Sequence, residues 1–139
     1  MKYLLDTCVL SELVKPTPEP KVVAWVNEQA EDCLFVSSIT LAELLKGIAK
    51  LQDSQRKTAL TEWVSKIQEE MANRILSFER ATAGYWANMC AKAEKSGKPL
   101  SAFDSLIAST AIEHGLVIVT RNTRDFESAP VMLINPWIE

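Results

Sequence analysis

Leu116-Val117-Ile118-Val119-Thr120 is the clearest candidate for a buried strand in this chain. The stretch is uncharged and rich in β-branched residues, which favour strands. A helix is predicted to open at Ser101 and to end at His114-Gly115, immediately before the strand, because glycine commonly terminates helices. An uncharged strand that follows a helix is typical of a parallel sheet covered on both faces. The stretch therefore predicts an α/β fold.

The same alternation continues in both directions from this strand. Four further short strands are predicted, at Lys2–Leu5, Cys33–Ser37, Arg74–Ser77 and Val131–Ile134. Helices are predicted at Thr7–Val14, Pro20–Ala30 and Thr40–Leu51, along the apolar stripe Leu60, Trp63, Val64, Ile67 and Met71, and at Glu79–Lys95 with Ala83, Trp86, Ala87 and Cys90 on the apolar side. Strands that alternate with helices predict a mostly parallel sheet covered on both faces.

The length, net charge and apolar runs of the chain limit the classes of protein to which it can belong. The chain of 139 residues suits one domain, residues 1–139, and its net charge of −3 argues against broad binding to nucleic acid without excluding a nuclease. No apolar run approaches the length of a membrane span, and the early Asp6 does not suit a signal peptide, so we expect a cytoplasmic protein. Cys8, Cys33 and Cys90 lack metal-ligand spacing and are expected to be reduced thiols.

Four acidic residues stand at four predicted strand-to-helix junctions: Asp6, Glu43, Asp104 and Asp125. In an open parallel sheet these junctions meet at the carboxyl ends of the strands. Carboxylates gathered there repel one another unless a cation lies between them. Oxygen ligands without a histidine or cysteine cluster favour Mg²⁺ or Mn²⁺ over Zn²⁺. The four acids therefore predict a divalent metal site suited to phosphate chemistry.

Each acid taken alone also has a simpler explanation as a helix cap. Thr40–Glu43 fits a capping box, Ser101–Asp104 and Asn122–Asp125 are weaker versions of it, and Asp6 fits a plain N-cap. Acids are favoured at helix starts in any case, because the helix dipole is positive there. The sequence leaves this alternative open for each residue singly.

Basic residues near these junctions are candidates for contacts with a phosphate backbone. Arg121 and Lys46 are the two that we expect to contact a nucleic-acid backbone if the protein is a nuclease. Lys50, Lys98 and Arg124 are expected to line the rim of the same site, and the alternative for each is an ordinary solvated surface side chain.

Four segments of the sequence contain the acidic residues and their neighbours: Tyr3-Leu4-Leu5-Asp6-Thr7-Cys8-Val9-Leu10-Ser11-Glu12, Ser38-Ile39-Thr40-Leu41-Ala42-Glu43-Leu44, Ser101-Ala102-Phe103-Asp104-Ser105-Leu106-Ile107-Ala108 and Val119-Thr120-Arg121-Asn122-Thr123-Arg124-Asp125-Phe126. These segments resemble the motifs of PIN-domain ribonucleases. The resemblance covers nearly the whole chain and, within this superfamily, is strongest to the VapC toxins of bacterial type II toxin–antitoxin systems. The ending Ile134-Asn135-Pro136-Trp137 is similar to the FitB-like subgroup.

The resemblance implies a fold, an activity and partners. The expected fold is an α/β/α sandwich around a parallel sheet of about five strands. The expected activity is Mg²⁺- or Mn²⁺-dependent cleavage of structured RNA, such as tRNA, by metal-activated water. A VapB-like antitoxin and a homodimer are the expected partners, with Trp86, Met89 and Trp137 as candidate interface residues. The alternative is a non-catalytic PIN-fold module that binds RNA or protein.

The resemblance also assigns the metal-site residues. Asp6, Glu43 and Asp104 match the three main acids of the family, and Asp125 matches the fourth. Asn122 matches a polar residue of the last segment. Cys8 is a departure, because many relatives have Ser or Asn at that position.

Overall fold

The computed structural model describes all residues, Met1–Glu139, and its strands and helices alternate in the order that the sequence predicts. The five strands are β1 (Tyr3–Leu5), β2 (Leu34–Ser37), β3 (Ile75–Leu76), β4 (Val117–Val119) and β5 (Leu133–Ile134). The six α-helices are α1 (Thr7–Leu13), α2 (Pro20–Glu28), α3 (Ser38–Ala49), α4 (Gln55–Glu70), α5 (Arg80–Lys95) and α6 (Ala102–His114). Single 3₁₀ turns cover Glu31–Cys33, Ala72–Arg74 and Thr123–Phe126.

All five strands form one sheet in the order β3-β2-β1-β4-β5. Every pair of neighbouring strands is parallel. The first strand lies at the centre, where Tyr3 is in register with Leu34 of β2 and with Val117 of β4. Because the strands are parallel, their carboxyl ends share one edge of the sheet, and the segments after β1, β2 and β4 meet there.

The core has two halves, one on each face of the sheet. Side chains of a strand alternate between faces, so Leu4 packs on one side and Leu5 on the other. The first half joins the sheet to α5 and α6 through Leu4, Met89, Ile107, Ala108, Ala111, Leu116, Ile118, Phe126 and Ala129. The second half joins it to α1–α4 through Leu5, Val9, Leu10, Val22, Leu34, Val36, Leu44, Val64 and Val119. The α/β/α sandwich is therefore confirmed.

Helix α5 presents a different face to the core from the one that the sequence predicted. Ala83 and Ala87 are exposed, whereas Thr82, Met89 and Ala93 are buried. The polar Thr82 turns inward because its Oγ1 accepts a hydrogen bond from the backbone N–H of Glu79 and donates one of 2.6 Å to Glu113 Oε1 on α6. The apolar pattern alone was misleading here, because a threonine with two polar partners replaces an apolar contact.

A buried carboxylate on α1 ties the proline-rich segment to the body of the fold. Only 6% of Glu12 is exposed. Its Oε1 accepts a hydrogen bond from Lys15 Nζ at 2.9 Å, and its Oε2 accepts one from the backbone N–H of Glu19 at 3.0 Å. These bonds, the Lys15 bond foremost, hold the pKa of the Glu12 carboxyl below its usual range. Glu12 thus connects α1 to the residue that caps α2.

The three cysteines are free, half-buried thiols, as expected from their spacing. The helices are too short or too polar for any of them to span a membrane.

Candidate functional site

The carboxylate of Asp6 lies at the end of the central strand and is held on both of its oxygens. Oδ1 accepts a hydrogen bond from the backbone N–H of Thr7 at 2.9 Å, and Oδ2 accepts one from Thr120 Oγ1 at 2.8 Å. The backbone N–H of Asp6 donates to the carbonyl of Val119 at 3.0 Å. Asp6 therefore caps α1, as the simpler explanation expected, and it is also fixed at the junction of β1 and β4.

Glu43 is not a capping residue. Helix α3 begins at Ser38, and its N-cap is Ser37, whose Oγ accepts a hydrogen bond of 3.0 Å from the backbone N–H of Ile39. Glu43 therefore lies in the second turn, and the predicted capping box with Thr40 does not form. Its Oε1 instead accepts a hydrogen bond of 2.7 Å from Thr7 Oγ1. This bond directs the half-buried carboxylate toward the end of β1.

Asp104 lies in the first turn of α6, which follows α5 and not a strand, so the strand-to-helix junction predicted for this residue is wrong. Its side chain is paired with the residue that caps this helix. The backbone N–H of Asp104 donates to Ser101 Oγ at 3.3 Å, and Ser101 Oγ donates to Asp104 Oδ2 at 2.7 Å. The capping explanation is partly correct for this residue, because the carboxylate binds the hydroxyl of the cap rather than its backbone N–H. The same pairing orients one oxygen and leaves the other free.

Asn122 and Asp125 belong to the 3₁₀ turn that follows β4. The backbone N–H of Asn122 donates to Thr120 Oγ1 at 3.0 Å, and that of Asp125 donates to the carbonyl of Asn122 at 3.0 Å. Neither side chain caps the turn, so the looser capping box predicted at this position is absent. Buried Phe126 anchors the turn in the core, which leaves Asp125 exposed at the edge of the sheet.

The acids act on one another through their charges. The pKa values of Asp6, Glu43 and Asp104 are all raised, first because each carboxyl is partly buried. Repulsion adds to this effect, since Asp6 and Asp104 raise the pKa of Glu43, and Asp125 raises the pKa of both Asp6 and Asp104. Hydrogen bonds from Thr120, Thr7 and Ser101 oppose the shifts. The four predicted acids therefore lie close enough at the carboxyl edge of the sheet for their charges to interact.

The geometry limits the kind of cation that these residues fit. No three Asp, Glu, His or Cys side chains lie close enough together to hold one ion as a group. A dehydrated cage of three carboxylates is therefore not formed. The donors are nonetheless hard oxygens, and Thr40 Oγ1, one turn before Glu43 on α3, is buried without a hydrogen-bond partner. Such a set suits an ion that keeps part of its water shell, as Mg²⁺ does.

The basic residues that were expected near the site lie in three different environments. Lys46 lies close enough to Glu43 to lower the pKa of its carboxyl slightly. The Arg121 guanidinium lies over the ring of Trp137, 5.5 Å from its centroid, which occupies one face of the guanidinium. Lys98 and Arg124 line a cavity beside Asp104 and Asp125.

Thr120, which lies between Asp6 and the turn that contains Asn122, was not identified from the sequence. Its side chain is fully buried, donates to Asp6 and accepts from the backbone N–H of Asn122. Cys8 lies in the same cluster, with Sγ 3.6 Å from Thr120 Oγ1 and 3.8 Å from Asp6 Oδ2. A polar residue at the end of an otherwise apolar strand beside the Asp6 strand was the available indication.

Sequence comparison assigns the chain to a family. The model of the PIN domain matches residues 3–131. The chain belongs to the PIN-domain family. PIN relatives include the VapC ribonuclease Y4jK of Sinorhizobium fredii, which is 38% identical over 96% of both chains. The tRNA(fMet)-specific endonuclease VapC of Shigella flexneri is 33% identical over 99% of this chain and 98% of its own. These relatives place the chain among the VapC-type toxins.

Solved structures of PIN proteins share the fold. A chain of FitAcB from Neisseria gonorrhoeae superposes with a TM-score of 0.92 at 39% identity, covering 97% of this chain and 98% of that one. A chain of DNA-bound VapBC from Salmonella typhimurium superposes with a TM-score of 0.78 at 28% identity, covering 98% of both. The similarity to the FitB-like subgroup suggested by Ile134–Trp137 agrees with the first of these superpositions.

Proposed function

We propose that this PIN-domain protein is an endoribonuclease that depends on Mg²⁺ or Mn²⁺ held at Asp6, Glu43, Asp104 and Asp125, with Asn122 beside them. The observation that carries the proposal is that carboxylates from four separate segments lie near the carboxyl edge of one parallel sheet and that none of them forms a salt bridge. Carboxylates that are only capping helices have no reason to converge, because converging raises the free energy of their charged forms.

The surrounding residues prepare the site for phosphodiester hydrolysis. A divalent ion held there supplies charge to offset that of the phosphate oxygens and activates water as the nucleophile. Thr7 bridges α1 to Glu43, and Thr120 bridges β4 to Asp6, so both carboxylates are oriented before substrate arrives. Ser101 does the same for Asp104. Such preorganisation spares the site from rearranging during the reaction.

RNA is the substrate class, and tRNA is the first candidate. The Shigella flexneri relative named as a tRNA(fMet)-specific endonuclease matches nearly the full length of this chain. The several relatives named as ribonucleases support catalysis over the alternative of a non-catalytic RNA- or protein-binding module.

The test is to incubate the purified protein with total bacterial tRNA in Mg²⁺ or in EDTA and to sequence the RNA ends that appear. The expected result is a discrete set of new ends that form only with the metal. Intact RNA in Mg²⁺ and Mn²⁺, both with tRNA and with total cellular RNA, contradicts the proposal. Equal cleavage in EDTA contradicts the metal requirement alone.

We also propose two protein partners. A VapB-like antitoxin is expected to hold the toxin inactive, and a basic partner suits the net charge of −3.

The second partner is another copy of this chain. Of the three candidate interface residues, Met89 is buried in the core, Trp137 is half-buried under Arg121, and only Trp86 is exposed, at 38%. Light scattering on the protein alone and after co-expression with the neighbouring open reading frame tests both partners.

A further inference from the structure

A polar cavity adjoins the proposed metal site. Its volume is about 410 Å³, and its lining contains no large apolar side chain. Asp104 and Asp125 form the wall that it shares with the acids of the site, and Lys98 and Arg124 supply two cations. Ser101 and Ser128 add hydroxyl groups to the lining. We call this cavity the Lys98–Arg124 pocket.

The two cations of the pocket are not engaged elsewhere in the protein. Neither Lys98 nor Arg124 takes part in a salt bridge or in a side-chain hydrogen bond, although three carboxylates line the same cavity. Two other cations of the chain are engaged, since Arg74 donates to backbone carbonyls and Arg121 lies over Trp137. Uncommitted cations that face a polar cavity suit an anionic ligand.

We infer that the Lys98–Arg124 pocket binds the RNA phosphate next to the one that is cleaved. The inference rests on the proposed function, because Asp104 and Asp125 belong to both the pocket and the metal site. An RNA chain whose scissile phosphate lies at these acids must place its neighbouring phosphate close to them, and the pocket provides two free cations beside Asp104 and Asp125. The Ser128 hydroxyl can donate a further hydrogen bond to a phosphate oxygen, whereas that of Ser101 already donates to Asp104.

The net charge of the pocket favours RNA more strongly when the metal ion is bound. Lys98 and Arg124 face Asp104, Asp125 and Glu127, so the carboxylates outnumber the cations by one. One divalent ion at the shared acids reverses that balance and makes the pocket net positive. RNA is therefore expected to bind more tightly with the ion than without it, even when no cleavage takes place.

Binding of fluorescein-labelled tRNA, followed by anisotropy in Ca²⁺ at several salt concentrations, measures the contribution of each cation. Lys98→Ala and Arg124→Ala are each expected to weaken binding about fivefold and to lower the salt slope by about 1, the effect of losing one phosphate contact. Lys98→Arg should retain most of the affinity. Arg56→Ala, which removes a charge from an exposed position on α4 outside the pocket, is the matched control and should bind as the wild type does.

Chemical substitution of the RNA locates the phosphate. A methylphosphonate at one position beside the mapped cleavage site should slow cleavage by the wild type and by Arg56→Ala. The same substitution should have little further effect on Lys98→Ala or Arg124→Ala, because the contact is already lost. Melting temperatures of the four proteins should agree, since both pocket cations lie on the surface.

The outcomes separate the pocket from the function. A wild-type protein that cleaves RNA, with Lys98→Ala and Arg124→Ala equal to Arg56→Ala in affinity and salt slope, overturns the pocket and leaves the nuclease intact. Absence of cleavage by the wild type overturns the proposed function instead. If the two variants lose binding to poly-L-glutamate but keep binding to tRNA, the pocket receives an acidic protein segment and the inference is wrong.

Discussion

Thr120 controls the orientation of Asp6 more directly than any other residue. It follows β4 directly, has no exposed surface, and joins the Asp6 carboxylate to the backbone of the turn that carries Asn122 and Asp125. Loss of its hydroxyl would leave the N–H of Asn122 without its partner and Asp6 Oδ2 with only the long contact of 3.8 Å to Cys8 Sγ. The cost of an unsatisfied buried group is about 1–3 kcal/mol.

We therefore expect Thr120→Val, which keeps the shape of the side chain, to lower the free energy of unfolding by about 1–3 kcal/mol. Cleavage of RNA should fall as well, because Asp6 is no longer held. Thr120→Ser keeps the hydroxyl and should restore both properties in large part. Urea unfolding and a cleavage assay on the three proteins check this, and an active, stable Thr120→Val protein contradicts it.

The repulsion among the site acids predicts an unusual effect of neutralising one of them. In EDTA, Asp104→Asn should raise the free energy of unfolding by about 0.5 kcal/mol, the size of a like-charge term near the surface. Asparagine keeps an oxygen that can accept the Ser101 bond. Because the folded-state pKa of the Asp104 carboxyl is raised, the wild type becomes less stable as pH rises from the unfolded-state pKa through the folded-state pKa. Asp104→Asn has no carboxyl to ionise there, so its free energy of unfolding should fall less over the same pH range.

In Mg²⁺ the same substitution should reduce cleavage more than about 100-fold, because it removes a candidate ligand. The control is Asp53→Asn, whose carboxylate is fully exposed and remote in the sequence from the site; it loses only a surface ion pair with Lys57 at 3.6 Å, of a kind that contributes little to stability. Thermal melts in EDTA and initial cleavage rates measure both effects. If Asp104→Asn is destabilised and fully active, Asp104 is a helix cap and not a member of the site.

At the scale of single elements, capping and packing decided where sequence reasoning succeeded. Helix α6 was predicted correctly because Ser101 opens it and Gly115, in the left-handed conformation at φ +65°, ends it. Helix α3 starts two residues earlier than predicted, because Ser37, and not a later residue, provides the cap. The sequence has a serine at 37 and 38 and a threonine at 40, and local chemistry alone does not choose among them.

The link between α1 and α2 depends on the charge of Glu12. Its lowered pKa means that its stabilising effect is present above the unfolded-state pKa and is lost as pH falls through the folded-state value. The site acids have the opposite effect, because their raised pKa values make the metal-free fold less stable as pH rises. Glu12→Gln should therefore be less stable than the wild type near neutral pH, and the difference should shrink in acid.

Urea unfolding of Glu12→Gln and of the wild type between acid and neutral pH measures this dependence. Glu62→Gln, at an exposed position on α4, is the matched control and should follow the wild type. A constant difference at all pH values would show that Glu12 acts through packing and not through its charge.

At the scale of the whole molecule, the alternating strands and helices were enough to predict the parallel sheet, and with the family resemblance they predicted the sandwich. The central place of β1 brings Asp6 between the segments that follow β2 and β4. The separation of the acids could not be predicted, because it depends on rotamers set by Thr7, Thr120 and Ser101. None of these hydroxyls belongs to a periodic pattern that the sequence reveals.

The central claim is that carboxylates from separate segments form one divalent-ion site at the edge of the sheet. The most direct test is a Mn²⁺ titration in which electron paramagnetic resonance counts the free ion, applied to the wild type, Asp6→Asn, Asp104→Asn and Asp53→Asn. We expect the wild type and Asp53→Asn to bind Mn²⁺ equally, and Asp6→Asn and Asp104→Asn to bind it at least about tenfold more weakly. Equal binding by all four proteins, or no binding by the wild type, contradicts the account.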